Sequence, residues 1–204
     1  MTSTRHVCWT RSLFAMVIVI LLSLALIKGL PGEPEIALVI GEPYEAMRQR
    51  SSATIDPAIP EVVSFNIPKS DARLRFIDPQ YGFVTPQARF FTIIFNNELI
   101  NSVRMSPQIE PLLLDDTLKI VLDLQEQWLQ GGWIPIRVKD DPPFADTPQW
   151  RAQLRDEYKG GTSYWQAGSQ YQLMLVVGRF EDDKRPEEER YLITLAIAKP
   201  WVKP

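Results

Sequence analysis

Carboxylates are the residues of this chain whose spacing could do chemistry. Asp115-Asp116 has the form of a carboxylate pair for acid–base work, and Asp140-Asp141, Glu181-Asp182-Asp183 and Glu187-Glu188-Glu189 are further clusters. Each also has a structural explanation. Asp115-Asp116 directly precedes Thr117-Leu118-Lys119-Ile120-Val121-Leu122, where acids cap a helix and complement its dipole. Asp140-Asp141 runs into Pro142-Pro143, and the two longer clusters flank Lys184-Arg185-Pro186, so all three suit solvated loops. A calcium loop needs alternating oxygen ligands around a glycine, and none of them has that pattern.

The chain has one histidine, His6, and one cysteine, Cys8. Both precede the run Leu13 to Ile27, LFAMVIVILLSLALI, whose only polar member is Ser23. From Trp9 to Leu30 this stretch spans about 22 residues, enough at about 1.5 Å per residue to cross a hydrocarbon core of about 30 Å. It predicts one membrane-spanning helix that places Leu13, Phe14, Val17, Ile20, Leu24 and Ile27 in lipid, with Arg11 and Lys28 snorkelling at its ends. Arg5 and Arg11 stand ahead of it and Glu33 and Glu35 behind it. The positive-inside rule therefore keeps the first residues cytoplasmic and sends the rest across a bacterial inner membrane into the periplasm. A cleaved signal peptide, cut after Ser23-Leu24-Ala25, is the alternative, although the apolar run continues past that site. Cys8 lies before the run, where a lipoprotein signal would not place it.

Beyond Lys28 there is neither histidine nor cysteine. Ser-His-Asp, Cys-His and His-ligated zinc chemistry are excluded there, and so are disulfides. No G-x-x-x-x-G-K-[ST], G-x-S-x-G or S-x-x-K motif occurs in that part. The sequence thus predicts a chain that is not an enzyme and takes no cofactor or metal. Its charge narrows the partners. Removing Arg5, Arg11 and Lys28 from the 22 bases leaves 19 against 25 acids, which argues against nucleic acid and makes a basic protein the more natural partner.

The elements that must position these residues alternate between helix and strand signals. After an anchor over residues 1–28 and a Pro/Gly-rich stalk over 29–35, Ile36 to Ile40 reads as a short strand or helix start. Pro43 to Ser51 reads as a helix with Tyr44 and Met47 inward. Strands are predicted over Val62–Ile67, Arg73–Asp78, Arg89–Phe95 and Glu98–Met105, with Asn96-Asn97 as a two-residue hairpin turn. A long helix follows from a cap at Asp115 or Asp116 to Gly131, with Leu118, Val121, Leu122, Trp128 and Leu129 at helical spacing. Trp133 to Val138 reads as an edge strand because Pro135 cannot donate to a ladder. A second helix, capped by Thr147, spans Pro148 to Tyr158 with Trp150, Leu154 and Tyr158 on one face. Strands over Thr162–Gln166, Gln170–Phe180 and Arg190–Lys199 close the chain. The expected class is α+β: antiparallel strands packed on a few helices, as two modules over residues 36–106 and 107–204 or as one continuous sheet.

Ile40-Gly41-Glu42-Pro43-Tyr44-Glu45-Ala46-Met47, then Leu74-Arg75-Phe76 and Phe91-Thr92-Ile93-Ile94-Phe95-Asn96-Asn97, resemble the opening of small periplasmic domains of the BamE and β-lactamase-inhibitor-protein type. The similarity covers Ile36 to Met105. It departs from that pattern in having no lipid-modified cysteine, and in replacing a second helix with the proline-punctuated stretch Thr54 to Pro60. The resemblance implies a non-catalytic fold whose sheet face grips another protein.

Anchor, acidity and missing catalytic groups together point to a membrane-tethered protein-binding domain. An inhibitor or immunity protein against an envelope-targeting toxin, such as a type VI secretion effector, is the sharper expectation. A structural or assembly subunit of an envelope or secretion complex is the alternative. Tyr158, Tyr164, Trp165 and Tyr171 fall close together in sequence and are the candidate partner-binding residues, as aromatics often form interface hot spots. Strand alternation sends Tyr164 and Trp165 to opposite faces.

Overall fold

Short alternating apolar segments give the described part of the chain most of its strands. The computed structural model describes residues 32–203. The predicted membrane helix, with Leu13, Phe14, Val17, Ile20, Leu24 and Ile27, lies outside them, and among the described residues no helix is long and apolar enough to cross a membrane.

In chain order the elements are β1 (Glu35–Leu38), α1 (Tyr44–Arg50), β2 (Val63–Asn66), β3 (Ala72–Phe76), β4 (Phe83–Ala88), β5 (Phe91–Asn96) and β6 (Leu99–Met105). They continue as α2 (Leu114–Gln130), β7 (Ile134–Ile136), α3 (Pro148–Arg155), β8 (Gly161–Ala167), β9 (Tyr171–Phe180) and β10 (Arg190–Ala198). The fold is α+β, as expected. A three-stranded sheet runs β1-β3-β4 and a seven-stranded sheet runs β2-β5-β6-β10-β9-β8-β7. All pairs in the larger sheet are antiparallel. In the smaller one β1 lies parallel to β3, in register from Glu35 opposite Arg73 to Leu38 opposite Phe76.

The larger sheet crosses the boundary between residues 106 and 107 at which two modules would meet. β6 pairs with β10, bringing Met105 opposite Leu195 and Ser102 opposite Ala198. Residues from Pro34 onward form one compact unit, and one apolar cluster draws on both sides of that boundary, from Ile36 and Phe76 to Leu175 and Ile197.

α2 fills the space between the sheets. Leu114, Leu118, Val121, Leu124 and Trp128 are buried at helical spacing, while Leu129, expected inside, is exposed and Leu122 only half-buried. The stripe turns through Leu124 because α2 packs between β10 and β4. Its start also differs from expectation. Leu113, in extended conformation, precedes the helix without a side-chain cap, and Asp115 and Asp116 sit in the first turn, where they meet the dipole. α3 begins as expected: Thr147 accepts a hydrogen bond from the Trp150 N–H. It ends at Arg155, so Tyr158 is not on its face.

The hairpin between β5 and β6 turns one residue later than the asparagines suggested. Asn97 (φ 48°) and Glu98 (φ 62°) are its left-handed pair, and Asn96 stays in the ladder opposite Leu99. The sequence did not predict β4. Its Pro86 is tolerated because β4 is an edge strand. The β3–β4 register shifts between Arg73 and Arg75, and the Thr85 hydroxyl accepts the Leu74 N–H at 3.0 Å. Gly161 has room for no side chain, since a Cβ there would lie 2.6 Å from the Trp150 ring and 2.7 Å from that of Phe144.

Glu35 locks β1 to β3. Its carboxylate accepts hydrogen bonds from Arg75 Nε at 2.6 Å and Arg73 Nε at 2.9 Å. Burial alone would push the Glu35 carboxyl up, but the arginine hydrogen bonds outweigh it and hold the group below its ordinary value of 4.5. A lowered folded value contributes stability above 4.5 that is lost as pH falls through the folded value. Both arginines are partly in solvent, so Glu35→Gln should cost only about 0.5–1 kcal/mol at pH 7. The gap from wild type should close on acidification below 4.5. Urea unfolding at a series of pH values measures it, and a gap independent of pH would assign the stabilisation to something other than the charge.

Candidate interaction surface

The two faces of the seven-stranded sheet differ in what they carry. One face holds Phe91, Ile93, Phe95, Val103, Leu173 and Ile193, all buried against helices and the smaller sheet. Along the other, register places Phe65, Ile94, Ser102 and Ala198 in one row, and Thr92, Arg104, Ala196, Met174 and Tyr164 in the next. These residues are exposed or half-buried. A solvated antiparallel face ordinarily alternates to polar side chains. Here Ile94, Met174, Val176, Ala196 and Leu192 stand in their place, with the exposed guanidinium of Arg104 among them.

The C-terminal tail covers part of this face. Gln172, fully buried on it, accepts hydrogen bonds through Oε1 from the Trp201 N–H at 2.8 Å and the Val202 N–H at 2.9 Å. Its Nε2 donates to the Val202 carbonyl at 2.7 Å and to Gln166 Oε1 at 2.9 Å. The amide thus holds the tail as a neighbouring strand would. Trp201 meets the Tyr164 ring edge-on, centroids 6.5 Å apart, and Arg137 lies over Tyr164 at 5.6 Å from its centroid.

A cavity of about 360 Å³ opens where this face meets the segment after β6, lined by Arg89, Phe90, Gln108, Ile109, Leu192 and Thr194. Gln108 forms its rigid wall. Its Oε1 accepts the Ile193 N–H, and its Nε2 donates to the carbonyls of Tyr191 and Glu110. A second cavity, about 370 Å³, is polar and lined by Glu157, Arg179, Glu181, Asp182 and Glu188 among others.

The four aromatics proposed as partner-binding residues do not form one patch. Tyr158 is 94% exposed in the turn after α3. Trp165 is buried against Trp128, centroids 5.5 Å apart. Tyr164 lies on the opposite face, as alternation requires, beneath Trp201. Tyr171 packs edge-on against Phe76 at 5.1 Å and donates its hydroxyl to Asp78 at 3.1 Å. Of the four, Tyr164 alone lies on the sheet face away from the core, in the part that the tail covers. Phe65, Ile94 and Arg104 were missed, although the alternation of Val63-Ser64-Phe65-Asn66 and Ser102-Val103-Arg104-Met105 contains the signal.

One carboxylate of each aspartate pair is held in an ion pair. Asp115 accepts from Arg151 at 2.6 Å and Asp141 from Arg137 at 2.7 Å. Burial pushes the Tyr44 hydroxyl up to about 12. Burial, then the Asp78 charge, does the same for Tyr171, also to about 12. Both stay protonated near neutral pH. Among the described residues no group of three His, Cys, Asp or Glu side chains is placed to hold a metal ion. No protein family, curated protein or solved structure matches the chain.

Replacing Gln172 by Leu should release the tail while leaving the sheet intact. Two backbone donors and one acceptor then lose their partner, at a cost of about 1–3 kcal/mol. Hydrogen exchange reads this directly: the Trp201 and Val202 amides should lose protection and those of β9 and β10 should keep it.

Proposed function

We propose that the chain is a non-catalytic, membrane-anchored protein-binding domain of the bacterial periplasm, and that it binds its partner on the uncovered sheet face. One observation carries this. Around Arg104, where water-facing side chains belong, the face presents Ile94, Met174, Val176, Ala196 and Leu192, each half-buried, and a contiguous apolar surface that stays partly in water marks a docking site. Its side chains are small along Ser102, Ala196, Ala198 and Thr194, so a partner element can approach the sheet closely. Phe65 and Phe90 flank this ground with exposed rings, and the cavity beside Phe90 offers a recess for a partner side chain.

The partner in this proposal is a toxin that acts on the cell envelope, and the chain protects its own cell by occupying it. The run Leu13 to Ile27 holds the domain at the membrane where such a toxin works. The similarity of Ile36 to Met105 to small inhibitor domains agrees with a gripping sheet face.

Arg104→Glu tests the face, with Lys119→Glu, on the exposed side of α2, as a control of equal charge change. Full-length chain extracted from membranes should capture its partner, and Arg104→Glu should weaken capture about tenfold or more. Cells carrying that variant should lose protection while those carrying Lys119→Glu keep it. The opposite pattern would move the binding surface to the helical side.

A further inference from the structure

The two sheets have four edges, and three of them are closed. The outer backbone of β1 is occupied by the segment after α1. There the Glu35 N–H donates to Ser52 Oγ and the Ala37 N–H to Ser51 Oγ, each at 3.0 Å. The Glu35 carbonyl accepts from the Ala53 N–H, and the Ala37 carbonyl from Arg50. The outer side of β4 is taken by Gln127, whose Oε1 accepts the Val84 N–H at 2.9 Å and whose Nε2 donates to the Val84 carbonyl at 3.0 Å. β7 is three residues long, contains Pro135, and is followed by Arg137 at φ 57°, which turns the chain away. Short length, proline and a kink are how folded proteins blunt an edge.

β2 is also short, at four residues, but it keeps Pro60, Pro68 and the left-handed Glu61 (φ 58°) outside its ladder, so none of them blocks its edge. It pairs with β5 along one side and is the last strand of its sheet. Val62 to Ile67 carries no charge and no proline. Val63 is 68% and Phe65 59% exposed, and Ile59, Val62 and Ile67 are exposed beside them. Such an edge is a template for another strand.

We propose that this edge is a dimer interface and that β2 pairs antiparallel with β2 of a second copy of this chain. The segment is self-complementary. Pro60 and Pro68 stand equidistant from Ser64, so a two-fold axis through Ser64 keeps all four prolines of the pair at the ends of the ladder. That axis places Val63 opposite the partner copy's Phe65 and Phe65 opposite its Val63. One small apolar cluster thereby forms on the face that each sheet leaves uncovered. Electrostatics points the same way. The chain carries a formal charge of −3, and two copies repel least where an uncharged strand meets its own image. The dimer extends the seven-stranded sheet across both copies and leaves Arg104 and the Phe90 cavity free in each. It therefore goes beyond the proposed toxin binding and stands or falls apart from it.

Cysteine cross-linking of the full-length chain in its membrane tests the pairing. In a Cys8→Ser background, Ser64→Cys puts thiols at directly opposed positions, about 4.5–5.5 Å apart between Cβ atoms, within reach of a disulfide after slight adjustment. Mild oxidation should convert most of the chain to a species of twice its mass. Ile134→Cys on β7 should give at least tenfold less. Adding Phe65→Lys to Ser64→Cys should abolish the product while the far-ultraviolet circular dichroism stays unchanged. A folded Ser64→Cys chain that remains monomeric, one that cross-links to a different protein, or equal dimer from Ile134→Cys would each overturn the proposal.

Discussion

Four glutamine side chains bond to backbone groups that no neighbouring strand takes up, on the free sides of β4 and β10 and in the loops, and the arrangement of the sheets depends on them. Each uses its amide as a peptide group would, accepting an N–H and donating to a carbonyl of one short backbone segment. Gln127 does so to Val84, Gln125 to Phe144, Gln108 to Ile193 and Tyr191, and Gln172 to the tail at Trp201 and Val202. A buried segment of irregular backbone would otherwise carry unsatisfied polar groups at a cost of about 1–3 kcal/mol each. Two of the four, Gln125 and Gln127, lie two residues apart on α2 and therefore point to different sides of it. That helix is therefore stitched to β4 and to the Phe144 loop as well as packed against them.

Because α2 is fixed on both sides, the apolar interior can be shared between the sheets. Trp128 meets Phe83 of the smaller sheet at 5.8 Å and Trp165 of the larger at 5.5 Å. Trp133 adds contacts to Phe76, Tyr81 and Phe83. The rings of Trp128, Trp133, Phe76, Phe83 and Trp165 on this side are spent on joining the sheets. The other side of the larger sheet receives small residues and few rings, and only the tail held by Gln172 lies over it.

Much of this was legible in the sequence. Alternation and turn residues located β2, β3, β5, β6, β8, β9 and β10, and the proline of β7 marked its edge position. Thr147 was identified as a cap because a threonine before proline and good helix formers has few other uses. Where the sequence misled, long-range partners decided the outcome. β4 is interrupted by Pro86 and is held by a glutamine 43 residues away in sequence. The hairpin turn moved to Asn97-Glu98 because a register shift after Ile94 keeps Asn96 in the ladder. The candidate surface was read less well. Clustering in sequence grouped Tyr158, Tyr164, Trp165 and Tyr171, yet strand pleat and helix end scatter them to a loop, two opposite faces and an inter-sheet seam. What makes a surface here is which face of a sheet goes uncovered, and that is settled only when the helices choose their side.

The pairing of β6 with β10 has a kinetic consequence. The hairpins β5–β6, β8–β9 and β9–β10 are local and can each close within microseconds. Joining Met105 to Leu195 must instead bring together strands separated by two helices and three strands, with the loop entropy that implies. Ser106 and Gln108 lie just past β6, and both bond to the backbone of Ile193, so they fasten that junction as it forms. Assembly of the chain should therefore be paced by this one seam, in the slow regime of folds rich in non-local contacts, and until it closes the bare strand β2 belongs to a separate hairpin with nothing to anchor it.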